Sequence, residues 1–241
     1  MKLFSLIIFS CFLGVTSFAQ SSAHFRPFYF NFGINMPAGN FGKAPLTSSN
    51  AEQNIVNGYY GAKKLGYLFE FGTKIYFNNS SHKLRYGLDW TFLSANYNEM
   101  DWTSYMAAKG GAVTEPRVYS LSTKLGPVIS YNIVAKLIVD AHFQIAPVAH
   151  YATFEYFKQS GADTEDFNFK TDKIGDVYGG IKTSTGIGVK WGVIGLAADY
   201  FTGKLNTSYE YDNTAAGSIS NGLKKVKITT STIQLKLTLN M

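Results

Sequence analysis

The stretch LGYLFEFGTKIYF, residues 65–77, alternates between two kinds of side chain. Its odd positions carry Leu, Tyr, Phe, Phe, Thr, Ile and Phe, whereas the even positions include Gly66, Glu70, Gly72 and Lys74. Successive side chains of a β-strand point to opposite faces of the sheet. The stretch therefore predicts a strand with one large apolar face and one face that is small or charged.

The same alternation recurs along most of the chain and predicts eight strands. Allowing for boundaries that are uncertain by a few residues, the predicted strands cover residues 25–35, 65–77, 83–97, 117–131, 136–151, 178–191, a strand that starts near 193, and 225–241. The last strand sets Leu235 and Leu237 against Gln234 and Lys236. We predict an all-β chain.

The connections between these strands alternate in length. Long segments rich in Asn, Gly, Thr and Ser follow the first, third, fifth and seventh strands, and short ones follow the second, fourth and sixth. Outer-membrane barrels combine short periplasmic turns with longer loops outside the cell. The pattern predicts an eight-stranded antiparallel up-and-down transmembrane β-barrel with short periplasmic turns and long extracellular loops.

A lipocalin-like barrel or a β-sandwich also alternates, with its apolar face pointing inward. Three features favour the membrane: a large apolar face with almost no charge along its middle, an opposite face of small residues and mixed charges, and aromatic residues near strand ends. The aromatic residues concerned are Trp90, Tyr97, Tyr119, Tyr131, Trp191 and Tyr200.

The N-terminus has the features of an export signal. A basic start is followed by an almost entirely apolar run over residues 3–15, and small residues precede Gln20. We predict a signal peptide over residues 1–19, cleavage between Ala19 and Gln20, and one barrel domain over residues 20–241. A membrane anchor is the first alternative, although the run is short for a spanning helix of roughly 20 residues.

Lipoprotein processing at Cys11 is the second alternative. Cys11 is the chain's one cysteine. Removal of the signal would therefore leave no disulfide framework and no thiolate metal site in the mature chain.

The net charge of +6 and the pI near 9.2 raise the question of a nucleic-acid partner. Nucleic-acid binders concentrate basic residues on one face or arm. Here many basic residues occur singly inside the alternating stretches, and the segment after Tyr151 is acidic. We predict no nucleic-acid partner.

Charged residues within the strands fall on the small face, which we expect to line the lumen. Buried charges need partners, and an eight-stranded barrel is just wide enough for its own side chains. We therefore predict a structural ion-pair and hydrogen-bond network that plugs the lumen. Its predicted members are Glu70, Lys74, Arg85, Asp89, Lys124, Asp140, His142, Lys182, Lys190 and Asp199.

The first strand runs into the segment FGINMPAGNF, residues 32–41, and the last strand ends LKLTLNM, residues 235–241. On these features, residues 25–241 resemble the small bacterial outer-membrane barrel proteins of the OmpA/OmpX-like kind, with a PorT-like group as a weaker match. The resemblance implies contact with outer-membrane lipids and recognition by the barrel-assembly machinery. The final residue of that terminal signal is usually aromatic, and Met241 departs from it.

Lipid-modifying enzymes exist on such barrels, and their chemistry needs a His that activates a Ser or a water and is oriented by a carboxylate. His150 has no Ser at the spacing of the deacylases, and His142 shares a face with Asp140, which would permit a hydrogen-bonded pair. The acidic segment around Asp163 and Asp172 matches no established cation loop. We predict no enzyme activity, no cofactor and no metal.

The favoured function for such a barrel is a non-enzymatic envelope protein that serves envelope structure or contacts a partner or ligand through its extracellular loops. The alternatives are a narrow pore for small solutes and an accessory role in a secretion or assembly complex. A lipid A-modifying enzyme is a less favoured alternative. Loop aromatics could be binding anchors, headgroup anchors or loop packing. They are Tyr59, Tyr60, Trp102, Tyr105, Phe154, Tyr156, Phe157, Tyr209 and Tyr211.

Three substitutions test which face of the strands is predicted to point toward lipid. We expect Phe69→Arg or Leu237→Arg to impair membrane assembly, because either places a charge on the apolar face. We expect Lys236→Gln, on the opposite face, to be tolerated.

Overall fold

The computed structural model describes residues 26–63, 65–78, 83–114, 117–134, 136–152, 154–169, 177–214 and 224–241. The predicted signal peptide and its cleavage site between Ala19 and Gln20 lie outside these residues. The described part of the chain is dominated by antiparallel strands, so the all-β prediction is confirmed.

The described residues contain eleven strands, two α-helices and one 3-10 helix. The strands are β1 (Phe28–Ala38), β2 (Gly66–Tyr76), β3 (Leu84–Glu99), β4 (Ala112–Thr114), β5 (Arg117–Val134), β6 (Leu137–Ala152), β7 (Glu155–Ser160), β8 (Asp163–Phe169), β9 (Val177–Trp191), β10 (Ile194–Asn213) and β11 (Lys224–Asn240). The helices are α1 (Ala51–Val56) and α2 (Thr103–Lys109), and the 3-10 helix covers Gly39–Gly42.

Eight of these strands form a closed ring in the order β1-β2-β3-β5-β6-β9-β10-β11. The ring closes because β11 pairs with both β10 and β1, the latter from Tyr29↔Asn240 to Ala38↔Ser231. Every neighbouring pair around the ring is antiparallel. The eight ring strands are the eight strands that the alternation predicts.

The strand ends agree with the prediction within a few residues at most positions. β1 runs to Ala38 rather than 35, and β5 runs to Val134 rather than 131. At one end of the ring, few residues separate the end of β2 from the start of β3, β5 from β6, and β9 from β10. The long connections lie at the other end, as the predicted parity requires.

The two faces of the ring differ in the way the alternation predicts. On β2, Glu70 points inward and is 1% exposed, whereas the outward Tyr67 is 67% exposed. Outward apolar side chains are present on every ring strand and form what we call the apolar belt. Its most exposed members include Tyr67, Tyr86, Leu121, Ile129, Phe143, Ile187, Trp191, Leu196 and Leu237.

A bulge in β3 keeps the apolar side chains outside and the polar ones inside, although the sequence does not alternate strictly there. The register shifts between Thr91 and Ser94, and both intervening residues, Phe92 and Leu93, are more exposed than their neighbours. A bulge adds one unpaired residue and so resets which residues face inward. Ser94 and Asn96 therefore point into the ring.

The long connections carry the remaining elements, which form a cap over one end of the ring. β10 extends past β9 and pairs with β8 from Tyr209↔Phe169 to Asn213↔Glu165. β8 pairs with β7, and β7 pairs with β4, so the sheet continues outward from the ring. Within the described residues, neither α-helix has the length and hydropathy to cross a membrane.

Candidate functional site

The interior of the ring holds two clusters of charged side chains. In the first, the Glu70 carboxylate lies 2.6 Å from Lys124 Nζ and 2.7 Å from Lys236 Nζ. Asn31 Nδ2 donates to the same carboxylate at 2.9 Å, and Ser94 Oγ at 3.0 Å. All five side chains are buried, so the carboxylate is neutralised by direct contacts rather than by solvent.

Asp199 belongs to the same cluster. Lys236 Nζ lies 2.6 Å from Asp199 Oδ2, so this lysine bridges Glu70 and Asp199. Ser184 Oγ donates to Asp199 at 3.0 Å, and His142 Nε2 lies 3.2 Å from it. Gly186 makes room for this contact, because a Cβ there would lie 2.2 Å from Asp199 Oδ1.

The second cluster lies around two further carboxylates. Asp140 contacts Lys74 Nζ and lies 2.7 Å from Lys190 Nζ. Asp89 accepts a 2.6 Å hydrogen bond from the Tyr29 hydroxyl and lies 3.8 Å from Lys74 Nζ. Lys74 thus joins Asp89 and Asp140 as Lys236 joins Glu70 and Asp199.

The two clusters share a cavity of about 30 Å³. Its lining includes Glu70, Asp140 and Lys236. A water molecule needs roughly 10–15 Å³ of such space and several polar partners. The cavity therefore fits one or two waters within a packed interior.

Three of the interior cations contact aromatic rings. Lys182 Nζ lies 4.2 Å from the centre of the Phe201 ring, and Lys124 Nζ lies 4.4 Å from it. The Arg85 guanidinium lies 4.5 Å from the centre of the Tyr76 ring, near the end of the ring with the short turns. A cation over an aromatic face is attracted by the negative charge of that face.

The structure brings the predicted network inside the ring. All ten predicted charged or titratable side chains lie on the inner face, and the acidic ones pair with lysines. The pairing suggested for His142 and Asp140 is wrong: His142 contacts Asp199, and Asp140 contacts two lysines. Spacing within one strand could not reveal a partner on another strand.

The predicted network also omitted several side chains that hold it together. They share the inner-face positions of their strands, so the alternation already contained their signal. The omitted members are Tyr29, Asn31, Ser94, Gln144, Gln234 and Lys236. Lys236→Gln would remove the cation between Glu70 and Asp199, so we now expect this substitution to be destabilising rather than tolerated.

The cap has an aromatic core of its own. The Trp102 ring centre lies 4.6 Å from that of Phe154 and 5.0 Å from that of Tyr105. Tyr156 packs on Tyr105 with 5.6 Å between ring centres. Trp102 Nε1 also donates to the Tyr60 carbonyl at 2.9 Å, which links the connection after β3 to the connection after β1.

Further aromatic contacts join the cap to the ring. Tyr60 stacks on Phe169 with 6.3 Å between ring centres, and Phe169 stacks on Tyr178 at 5.4 Å. Tyr178 belongs to β9 and stacks in turn on His150 at 5.6 Å. The apolar packing is therefore continuous from the upper interior of the ring into the cap.

The loop aromatics that could have been binding anchors mostly belong to this core. Tyr60, Trp102, Tyr105, Phe154, Tyr156, Tyr209 and Tyr211 are buried, so loop packing accounts for them. Phe157 is 48% exposed and Tyr59 is partly exposed. Among the nine loop aromatics, packing within the cap therefore accounts for seven, and two are left at least partly exposed.

Burial also affects the phenol groups of the cap. It raises the pKa of Tyr156 to about 12 and the pKa of Tyr105 well above its ordinary value. The Glu165 carboxylate adds to both shifts by repelling the phenolate. Both hydroxyls are therefore neutral at physiological pH; Tyr105 donates to the Ser49 carbonyl and Tyr156 to that of Gly110.

The other residues considered as catalytic groups or metal ligands pack against or hydrogen-bond to neighbouring residues of the fold. His150 is buried inside the ring against Tyr178. Glu165 accepts hydrogen bonds from the Ala51 amide and the Tyr211 hydroxyl, each at 3.2 Å. In the described part of the chain, His, Cys, Asp and Glu do not gather in groups of three that could hold a metal ion. Asp172 lies outside the described residues.

The chain matches no protein family, and no curated protein matches it significantly.

Proposed function

We propose that the protein is an integral β-barrel of a bacterial outer membrane, exported by a cleaved signal peptide, with a plugged lumen and no enzymatic activity. One observation carries the proposal: the ring has its apolar side chains outside and its charges inside. Leu196 and Ile187 are 68% and 64% exposed, whereas Glu70 and Asp199 are 1% and 2% exposed. In water this arrangement would expose a large apolar surface, but in lipid both faces are satisfied.

The position of outward charges supports the same environment. Within the described ring strands, outward charged side chains occur near the capped end, as with Glu99, Arg117 and Lys204. An Arg or Lys at the bilayer midplane of a barrel costs about 2–4 kcal/mol. The closed ring also leaves no strand edge unpaired, which a bilayer requires.

The packed interior favours a structural role over a pore. Buried ion pairs and hydrogen bonds cross the ring, for example Lys236 on β11 to Glu70 on β2. Moving an ion past them would break pairs that are costly to leave unmatched. An up-and-down barrel of this kind, inserted by the barrel-assembly machinery, would stabilise the envelope or hold its cap for contact with a partner.

Membrane assembly can be tested with Leu237→Arg and the uncharged control Leu237→Ala. Leu237 is 45% exposed on the outer face of β11. We expect the Ala variant to co-sediment with outer membranes and resist alkaline extraction, and the Arg variant to assemble poorly. Equal membrane recovery of both variants, or recovery of the unaltered protein as a soluble monomer without detergent, would refute the proposal.

Conductance separates a plugged barrel from a pore. We expect purified protein in planar bilayers to give no reproducible unitary steps. Stable, reproducible steps in bilayers that contain the protein, and none in bilayers prepared without it, would favour the pore.

A further inference from the structure

Three lysines lie together on the outer face of the β10–β11 pair, just beyond the apolar belt. Lys204, Lys225 and Lys227 are all exposed, and we call them the lysine patch. The neighbouring Lys224 differs, because its Nζ lies 2.8 Å from Glu52. Among the described residues, no carboxylate oxygen forms a salt bridge with the three patch lysines.

Strand register brings the patch lysines close to one another. Lys204 pairs with Thr229, Asn206 with Lys227, and Ser208 with Lys225. Lys204 is therefore the diagonal neighbour of Lys227, a distance of about 7–8 Å, and Lys225 is the next residue on the same face. Glu210 shares this face of β10 one step farther from the belt.

The outer surface changes in a fixed order on the way to the patch. Tyr200 and Ile233 form one pair at the end of the apolar belt. The next outward pair is Thr202 and Ser231, whose hydroxyl oxygens are 2.6 Å apart. Lys204 follows, so apolar, hydroxyl and cationic side chains succeed one another on both strands.

This order matches the depth of a lipid headgroup. From Ile194 to Lys204 the strand rises about 34 Å, which is about 26 Å along the axis of a barrel whose strands tilt by roughly 40°. The apolar band of outer-membrane barrels is about 25 Å tall. In a membrane, the patch would lie at the outer edge of that band.

Other outward charges near the capped end are balanced. Lys63 Nζ lies 2.6 Å from Glu99, and Glu99 is also the direct cross-strand partner of Arg117. Among the described residues, several cations cluster without a carboxylate partner on the β10–β11 side of the ring alone. Like charges this close repel one another unless an anion lies between them.

We propose that the lysine patch binds the phosphate groups of the glycolipid in the outer leaflet, with the Thr202 and Ser231 hydroxyls beneath it contacting the headgroup. This inference rests on the proposed membrane location. Each ammonium offers three hydrogen-bond donors, and a phosphate monoester carries a charge of about −1.5 to −2 at neutral pH. The patch lies at the depth of the lipid headgroups, so it favours a phosphate that is attached to a lipid over an anion free in solution.

The test compares two triple variants with the same change in net charge. One is Lys204→Gln/Lys225→Gln/Lys227→Gln, and the control, Lys43→Gln/Lys109→Gln/Lys158→Gln, removes three lysines from the cap. Unaltered protein and both variants are inserted into nanodiscs of neutral phosphatidylcholine. Each nanodisc contains trace diphosphorylated lipid A or its dephosphorylated form, and retained lipid is counted by native mass spectrometry.

We expect only the patch variant to retain diphosphorylated lipid A more weakly, by about 100-fold, because each surface lysine strengthens binding to an anionic lipid about fivefold. The dephosphorylated lipid should not distinguish the three proteins. Equal retention of lipid A by all three would overturn the proposal, as would displacement of the lipid by an equal concentration of inorganic phosphate. Failure of the unaltered protein to enter any nanodisc would instead refute the membrane location itself.

Discussion

Lys236 illustrates how charge is accommodated inside the ring. Its ammonium contacts two carboxylates, from Glu70 on β2 and Asp199 on β10, and the side chain is 4% exposed. The sequence places Lys236 correctly on the inner face, because it alternates with Leu235 and Leu237. Its partners could not be predicted, because they depend on the stagger between strands far apart in the chain.

We predict that Lys236→Gln lowers the free energy of unfolding in lipid vesicles by about 3–5 kcal/mol, since it leaves buried carboxylates without their cation. The measurement is equilibrium unfolding in denaturant. Lys63→Gln, which removes one partner of an exposed pair with Glu99, serves as the control and should leave the midpoint unchanged. An unchanged midpoint for Lys236→Gln would mean that the pairs do not stabilise the ring.

The elements of the ring and those of the cap were predictable to different degrees. The ring strands are long and alternate over most of their length, so each could be identified alone. Strands β4, β7 and β8 have 3, 6 and 7 residues and pair with partners in other loops, and α1 and α2 have 6 and 7 residues. Segments this short carry little periodic signal, and tertiary packing determines their structure.

The cap should open separately from the ring when its core is damaged. Trp102→Ala removes a side chain that is 1% exposed, and such a truncation costs about 3–5 kcal/mol. We expect faster proteolysis of the loops while the ring strands stay protected. Phe157→Ala, at an exposed position of the same cap, should not change the cleavage rate. Equal cleavage of both variants would show that the cap core is not cooperative.

The cap should also weaken at alkaline pH. Because burial raises the pKa of Tyr156 to about 12, its neutral form stabilises the folded cap fully below the ordinary tyrosine pKa of about 10. That stability is lost progressively as the pH rises from about 10 to 12. Tyrosinate absorbance and loop proteolysis, followed together, should change over this range. Loop protection that is unchanged at pH 12 would contradict the assignment.

At the scale of the whole molecule, alternation and loop parity together predicted an eight-strand arrangement, and the structure confirms eight strands in a closed antiparallel ring. The inward position of the charged residues was likewise predictable. The cap, the exact ion pairs and the lysine patch were not, because each needs the register between strands. Strand register follows from packing and pairing across the chain rather than from any one segment.

The central claim is that the outer face of the ring lies in lipid, and the three tryptophans test it directly. Trp90 and Trp191 are outward and 38% and 62% exposed, whereas Trp102 is buried in the cap. Variants that keep one tryptophan each, with Phe at the other two positions, are reconstituted in vesicles whose acyl chains carry bromine, a fluorescence quencher. We predict strong quenching of Trp90 and Trp191 and little of Trp102. Unquenched fluorescence from Trp90 and Trp191 in the assembled protein would contradict the claim.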